Sequence, residues 1–240
     1  MTHSKKCAQK VRVLFFGRQD CNFSKKAYEF LLHLKFEVSS VLSRSLGEAL
    51  PEDIYSWQGD YIICFRSYFV LPKALIDRAK IAALNFHPGP PEYPGSGCSN
   101  WALYDNAKQY GVTAHIMNEK IDNGNIIECR RFPIFSYDTL ITLLERAHLK
   151  AYDLLIDIAA GLAIEGKQYL DKKLEDSKRE AWRGKARRMS EIDKLRTINP
   201  ACSKEDLERI IRATYIPSFP PVIKLHGYKF VLDRDSPDEL

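Results

Sequence analysis

Ala82-Ala83-Leu84-Asn85-Phe86-His87-Pro88-Gly89-Pro90-Pro91-Glu92-Tyr93-Pro94-Gly95-Ser96-Gly97 is a short apolar run that breaks into a loop dense in turn formers. Ala82–Phe86 reads as a buried strand. From His87 to Gly97, four prolines and three glycines fall in eleven residues, so the loop is stiff and rich in turns. Asn85 and His87 stand two apart at the strand's end, and period-2 alternation puts both side chains on one face. Pro88 biases His87 to extended geometry, which favours that shared orientation.

Outward from this stretch, short apolar runs alternate with helical patterns. Val11–Phe16, Val38–Leu42 and Tyr61–Phe65 read as strands upstream. Residues 24–35 and Pro72–Ala79 read as helices between them. Downstream, the spacing predicts a helix at 98–109 and strands at Gly111–Met117 and Gly124–Cys129. A long amphipathic helix follows over Asp138–Gly161, ending at Gly161 or Gly166. A last helix is expected at Lys204–Thr214, then a β-hairpin turning at His226-Gly227. Such alternation predicts an α/β fold with a mostly parallel sheet, whose ligands bind at the carboxyl ends of strands. The division expected is a catalytic domain over 1–166 and a C-terminal segment over 167–240 that carries a helix and the hairpin. The hairpin's strand edges need cover, which makes a homodimer the expected assembly.

Composition narrows the function classes. The 240 residues are 45% hydrophobic and 28% charged, as in ordinary globular proteins. No run approaches the roughly 18 apolar residues that cross a bilayer, so no membrane role is predicted. A formal charge of +5 permits an anionic partner without demanding a nucleic acid. The basic run at 172–188 reads as a solvated face, and no RNA-binding motif accompanies it. The six cysteines form no CxxC pair and no metal-ligand spacing is visible, so no metal is predicted. Without an export signal, reduced thiols in a cytoplasm are expected. The text after Val11–Phe16 is Gly17-Arg18-Gln19-Asp20, which lacks the glycine fingerprint of a dinucleotide site.

Chemistry concentrates on three residues. Asp122, in the turn Ile121-Asp122-Asn123-Gly124, comes thirty-five residues after His87 and can reach a neighbouring strand end. An amide, an imidazole and a carboxylate suit acyl transfer to an amine. Asn85 could donate to an oxygen that becomes negative, His87 could support it or shuttle a proton, and Asp122 could orient His87 or take the proton. No nucleophilic Ser or Cys stands in a recognisable elbow, which favours direct attack by the amine. His115, mid-strand in Gly-Val-Thr-Ala-His-Ile-Met, reads either as lining the site or as a core histidine, with a slight preference for the core. Trp101 and Tyr104, three apart on a helix, read as packing.

Asn-x-His-Pro with a proline-rich loop, then Gly-Val-Thr-x-His and Ile-Asp-x-Gly-x-Ile, resembles the formyltransferases that use N10-formyltetrahydrofolate. The likeness runs from about Val11 to Glu165. Glycinamide ribonucleotide and methionyl-tRNA formyltransferases usually carry Ser-Leu-Leu-Pro after the His. Pro88–Gly97 instead looks like the sugar N-formyltransferases that act on nucleotide-linked amino sugars. Arg187-Arg188-Met189, Ile211–Tyr215 and Phe219-Pro220-Pro221 are similar to the same subgroup.

That resemblance implies a Rossmann-like formyltransferase fold and formyl transfer to the 3- or 4-amino group of a dTDP-linked dideoxy sugar, a step toward surface polysaccharide. It implies Asn85, His87 and Asp122 as catalytic residues. Arg66, Tyr68, Val70, Asn118 and Ile121 are expected at the folate. Glu92, Tyr93, Ser96 and Gly97 are expected along the sugar nucleotide, with Arg183, Arg187 and Arg188 for its pyrophosphate and Trp182 and Tyr215 beside its base. Glycinamide ribonucleotide formylation and hydrolysis of the formyl donor are the rivals within this chemistry.

Overall fold

The computed structural model describes residues 10–233. In chain order these form β1 (Arg12–Arg18), α1 (Asn22–His33), β2 (Glu37–Ser43), a 3-10 turn (Glu52–Ser56), β3 (Gly59–Phe65), α2 (Lys73–Ile76), β4 (Ala79–His87), α3 (Cys98–Tyr104) and β5 (Gln109–Ile116). Then come β6 (Ile126–Pro133), α4 (Leu140–Glu165), α5 (Lys167–Asp176), α6 (Met189–Leu195), β7 (Thr197–Ile198), α7 (Lys204–Thr214), β8 (Val222–Leu225) and β9 (Tyr228–Val231). The described strands make a six-stranded sheet in the order β2-β1-β3-β4-β5-β6 and a three-stranded sheet in the order β7-β8-β9. The large sheet is parallel from β2 to β4, and β5 runs antiparallel to β4. This is the mostly parallel α/β architecture expected.

The chain divides into two compact units: Met1–His87, Thr113–Glu128 and Ala151–Ala181 make one, and Pro88–Val112, Cys129–Lys150 and Trp182–Leu240 the other. In the first, β1 and β3 are buried along nearly their whole length, which is why their sequences read as unbroken apolar runs. One face presents Leu14, Phe16, Ile62, Cys64 and Ala83 to Ile54, Leu75 and Ile76. The other presents Phe15 to Tyr28 of α1, and Phe65 to Tyr152 of α4.

Local departures from the sequence reading have physical causes. Gly161 does not stop α4; a Cβ there would stand 2.3 Å from the Tyr169 ring, so the glycine admits a close neighbour. The helix ends one turn later, before Gly166 at φ +58. α3 stops at Tyr104, not at 109, because Asn106 turns into the left-handed region at φ +52. α5 and α6 escaped prediction because each buries little: Leu170 is the buried residue of α5 and Ile192 that of α6. α5 is instead supported by pairs such as Lys167–Asp171 at 2.6 Å, four residues apart.

In the second unit, Asp138 anchors the start of α4. Its carboxylate is 1% exposed, receives Arg146 at 2.6 and 3.0 Å, and accepts the Phe135 amide at 2.7 Å. Arg212 of α7 donates to the backbone oxygens of Asp138 and Phe135, each at 3.0 Å. The hairpin turns as expected on His226 at φ +49 and Gly227 at φ +82, the paired positive angles of a tight turn.

Burial works to raise the Asp138 pKa, but hydrogen bonds from Arg146 and the Phe135 amide carry it below the usual carboxylate range. A lowered folded-state value gives stability that is present above the unfolded value and lost as pH falls through the folded one. Asp138→Asn is expected to cost about 3–5 kcal/mol at pH 7. Urea melts at pH 7 and again well below the carboxylate range should show the gap between variant and wild type closing on acidification.

Candidate functional site

In the first unit, the carboxyl end of β4 brings Asn85 and His87 to one carboxylate. The Asn85 amide nitrogen lies 3.4 Å from Asp122 Oδ1, and His87 Nδ1 lies 3.2 Å from Oδ2. The shared orientation expected from the spacing is present. His115 joins them: its Nε2 is 3.1 Å from Asn85 Nδ2 and 3.3 Å from Asp122 Oδ1. Antiparallel pairing places it there, since His115 lies opposite Asn85 in the β4–β5 register. Both sequence expectations for His115 meet in the structure: it is 2% exposed and belongs to the cluster. What decides its place is the cross-strand register that Gly-Val-Thr-Ala-His adopts.

A close backbone approach holds Asp122 in place. Gly124 lies against β5 so tightly that a Cβ would stand 1.8 Å from the Ile116 carbonyl oxygen. The Ile116 amide donates to the Asn125 oxygen at 2.9 Å. Asp122 itself adopts φ +43, a conformation aspartate tolerates better than most residues. Glycine is therefore required two residues after the acid for the acid to meet the strand end.

Hydrogen-bond logic fixes the protons. The Ile116 carbonyl can only accept, so His115 carries its proton on Nδ1, 2.9 Å away. His115 Nε2 then accepts from Asn85. Asp122 as a carboxylate accepts from His87 Nδ1, and the resulting tautomer carries its lone pair on Nε2. Of the two Asn85 contacts, that to Asp122 is the longer, so its N–H is the one a ligand oxygen can recruit. The arrangement offers an amide donor, an imidazole base and a carboxylate that orients it, with His87 only 4% exposed and Asp122 8%.

Other site candidates of the first unit flank this centre along the chain. Arg66 follows the end of β3 at φ +60. The Tyr68 amide donates to Ser43 Oγ at 2.9 Å, and its ring lies under the Arg18 guanidinium at 3.8 Å. Val70 and Ile121 are 70% and 55% exposed, unusual for large apolar side chains. Asn118 caps its own turn by accepting from the Lys120 amide at 2.9 Å. It also lines a cavity of about 450 Å³ with Lys73, Ile76, Met117 and Asn123.

The second unit gathers many of the remaining candidates. The Ser96 amide donates to the Arg187 oxygen at 2.9 Å, and the Arg187 amide to that of Pro94 at 3.1 Å. Gly95 admits this strand-like pairing, because a Cβ there would meet the Arg187 oxygen at 2.4 Å. Gly97 likewise makes room for Ile192. Glu92 pairs with Arg131 at 3.1 Å and Arg183 at 3.6 Å. The Arg187 guanidinium lies 3.8 Å above the Trp101 ring, while Trp101 and Tyr104 meet edge to face as expected. Tyr93 has its pKa pushed up to about 12 by burial and by its hydrogen bond with Asp105. Trp182 is half-buried and Arg188 exposed. The Arg188 amide donates to Glu191 at the start of α6, and Tyr215 closes α7.

Residues 5–159 match the family model described as formyl transferase. Among curated proteins, methionyl-tRNA formyltransferase of Listeria monocytogenes is 31% identical over 107 residues, 44% of this chain and 34% of that protein. That of Pediococcus pentosaceus is 32% identical over 121 residues, 50% of this chain and 38% of its own. The chain thus spans little more than a third of these relatives' length. Among solved structures, a sugar N-formyltransferase from Shewanella sp FDAARGOS_354 aligns with a TM-score of 0.70 at 19% identity, over 93% of this chain and 97% of that one. An N-formyltransferase from Helicobacter canadensis, in complex with folinic acid and dTDP-3-aminofucose, gives 0.63 at 16% identity, over 90% and 85%. At these identities the likeness establishes the fold.

The tautomers can be read directly. In nitrogen-15 spectra at neutral pH, His115 and His87 should each show a protonated Nδ1 and an unprotonated Nε2. Gly124→Ala should disturb both signals by displacing Asp122; unchanged spectra would refute the role given to that glycine.

Proposed function

The chain belongs to the formyl transferase family, and from that premise we propose that it transfers a formyl group from N10-formyltetrahydrofolate to the amine of a nucleotide-linked amino-dideoxy sugar. The observation that carries this reading is the buried cluster of Asn85, His87, His115 and Asp122 at the carboxyl edge of the sheet. The residues present fit the folate donor. Val70 and Ile121 offer exposed apolar surface to a flat ring, and Asn85 holds an amide N–H at the strand end. The donor supplies an activated formyl carbon when bound. Arg66, Tyr68, Val70, Asn118 and Ile121 are assigned to holding it.

The chain's own groups then have separate tasks. Asn85 donates to the carbonyl oxygen that gains charge as an amine adds. His87 Nε2 accepts the proton that the amine releases and can return it to the donor nitrogen that departs as the formyl C–N bond breaks. Asp122 holds the ring by Nδ1–H and stabilises the imidazolium that results. His115 keeps the Asn85 amide turned toward the reacting carbonyl. Glu92–Gly97, Arg183, Arg187 and Arg188 are assigned to the nucleotide of the acceptor, with Trp182 and Tyr215 to its base. The likeness to a sugar N-formyltransferase of Shewanella and to the Helicobacter N-formyltransferase held with dTDP-3-aminofucose supports this choice of acceptor. We place the reaction in the cytoplasm. No helix among the described residues is long and apolar enough to cross a membrane.

Formyl transfer should be assayed with a panel of dTDP-, UDP- and GDP-linked amino sugars, with glycinamide ribonucleotide and methionyl-tRNA as competing acceptors and acceptor-free hydrolysis as control. Asn85→Ala and His87→Ala are each expected to lower kcat by about two to three orders of magnitude with little change in either KM. Near-native turnover in folded variants would overturn the roles. We also propose that the hairpin pairs with a second copy, since Tyr228, Phe230 and Val231 are 72%, 55% and 54% exposed on β9, the last strand of its sheet. Phe230→Glu should then sediment as a monomer where the wild type sediments as a dimer.

A further inference from the structure

The outer edge of the large sheet carries a cleft that the formyl-transfer reading does not use. β2 is the edge strand of that sheet. Beside it lies a cavity of about 740 Å³, lined by Arg12 of β1, Ser39 and Ser40 of β2, and Asp53, Trp57 and Gln58. Cavities of about 300–1,000 Å³ are the size that small ligands occupy. The cleft stands apart from the catalytic cluster. β2 is three strands from β4 in the order β2-β1-β3-β4, about 14 Å across the sheet.

Both walls of the cleft are built from the fold itself. One is the 3-10 turn Glu52–Ser56. The Trp57 amide closes it on the Ile54 oxygen at 3.1 Å, and the Ser56 hydroxyl donates to the Asp53 oxygen at 2.7 Å. Ile54 roots the turn in the core. The Trp57 ring lies close over Gly59, where a Cβ would stand 2.4 Å from its Cζ2. Trp57 is nevertheless only half-buried and lines the cavity. The other wall is the strand edge. The Glu37 amide donates to the Val11 oxygen and the Gln19 amide to that of Ser43, so odd-numbered residues of β2 turn their backbone groups toward β1. Ser40 and Leu42 therefore direct an N–H and a C=O each to the outer side, where no strand follows among the described residues.

The lining decides the class of ligand. Arg12 Nε already donates to Glu37 at 3.2 Å. Asp53 is exposed, and among the described residues no side chain pairs with its carboxylate. Glu52 adds a second acid to the same turn. A phosphate or another anion is disfavoured by that charge. A wholly apolar ligand would leave the polar lining unpaired. What the cleft presents is one indole ring among hydroxyls, a carboxylate, a primary amide and outward main-chain groups. A pyranose matches that set. Its C–H face packs on the negative face of an aromatic ring, and each of its hydroxyls both donates and accepts.

We propose that this cleft is a binding site for an uncharged sugar, with Trp57 as the platform for its ring and Asp53, Gln58 and Ser40 as partners of its hydroxyls. The site does not depend on the formyl-transfer reading. It holds its sugar at the far edge of the sheet from the catalytic cluster, so that binding there and turnover are separable.

The test follows the indole N–H signals of the nitrogen-15-labelled full chain. Its three tryptophans give three such signals, and the one lost in Trp57→Phe belongs to Trp57. The probes are glucose, galactose, mannose, rhamnose and N-acetylglucosamine, with inorganic phosphate and thymidine monophosphate as anions. At least one sugar should move the Trp57 signal in a saturable way, and neither anion should. Asp53 and Gln58 are exposed, so Asp53→Ala and Gln58→Ala leave the fold intact. Asp53→Ala should weaken the sugar's affinity about tenfold or more, and Gln58→Ala about threefold to tenfold. Asn85→Ala should leave the response unchanged. The proposal is overturned if no sugar moves the signal, if an anion moves it more readily than any sugar, or if both cleft variants bind as the wild type does. Loss of the response in Asn85→Ala would place the sugar in the catalytic cluster and overturn it too. An absence of formyl transfer would defeat the proposed function yet leave the Trp57 result standing.

Discussion

A carboxylate buried beside two imidazoles and an amide is the constraint on which this molecule turns. Asp122 has left water, and its charge is tolerable because His87 and the Asn85 amide donate toward it within 3.4 Å. Removing either does more than delete a contact; it strands the charge. Three stretches of chain must therefore reach one point: the end of β4, the end of β5 and the turn after it. The antiparallel pairing of β5 with β4 is what sets His115 opposite Asn85. Gly124 then lets the chain fold back onto the strand it has just left.

Much of this could be read from the residues. The alternation of apolar runs with helical stripes was enough for the sheet, because β1 and β3 are buried on both faces and say so in unbroken apolar sequence. The two-residue spacing of Asn85 and His87 was enough for their common face. Asp122 was legible through the turn residues around it. His115 was legible only as one of two alternatives, site or core, because its place depends on a cross-strand register that no local pattern encodes. α5 and α6 were hidden for a related reason: their helicity owes more to charge pairs and to a single buried residue than to an apolar stripe. The choice between Gly161 and Gly166 as the end of α4 was not legible, because a glycine that ends a helix and one that admits a ring look alike in sequence.

The second unit shows a different economy. Where the first buries charges in a cluster, the second ties its long loop down with main-chain pairing between Pro94–Ser96 and Arg187 and with an arginine laid across Trp101. Glycines at 95 and 97 make that pairing sterically possible. Rigidity in a surface loop of this length is a precondition for discriminating between similar ligands, since a loop that must be ordered on binding gives up affinity to do so.

The chain passes between its two units at residues 87/88, 112/113, 128/129, 150/151 and 181/182. Neither unit is therefore a contiguous gene segment. A recombination event could not exchange one for a relative's version, as it can for domains strung in series. Change in either unit has to come by substitution within the stretches that compose it, residue by residue, under the scaffold's continuous veto.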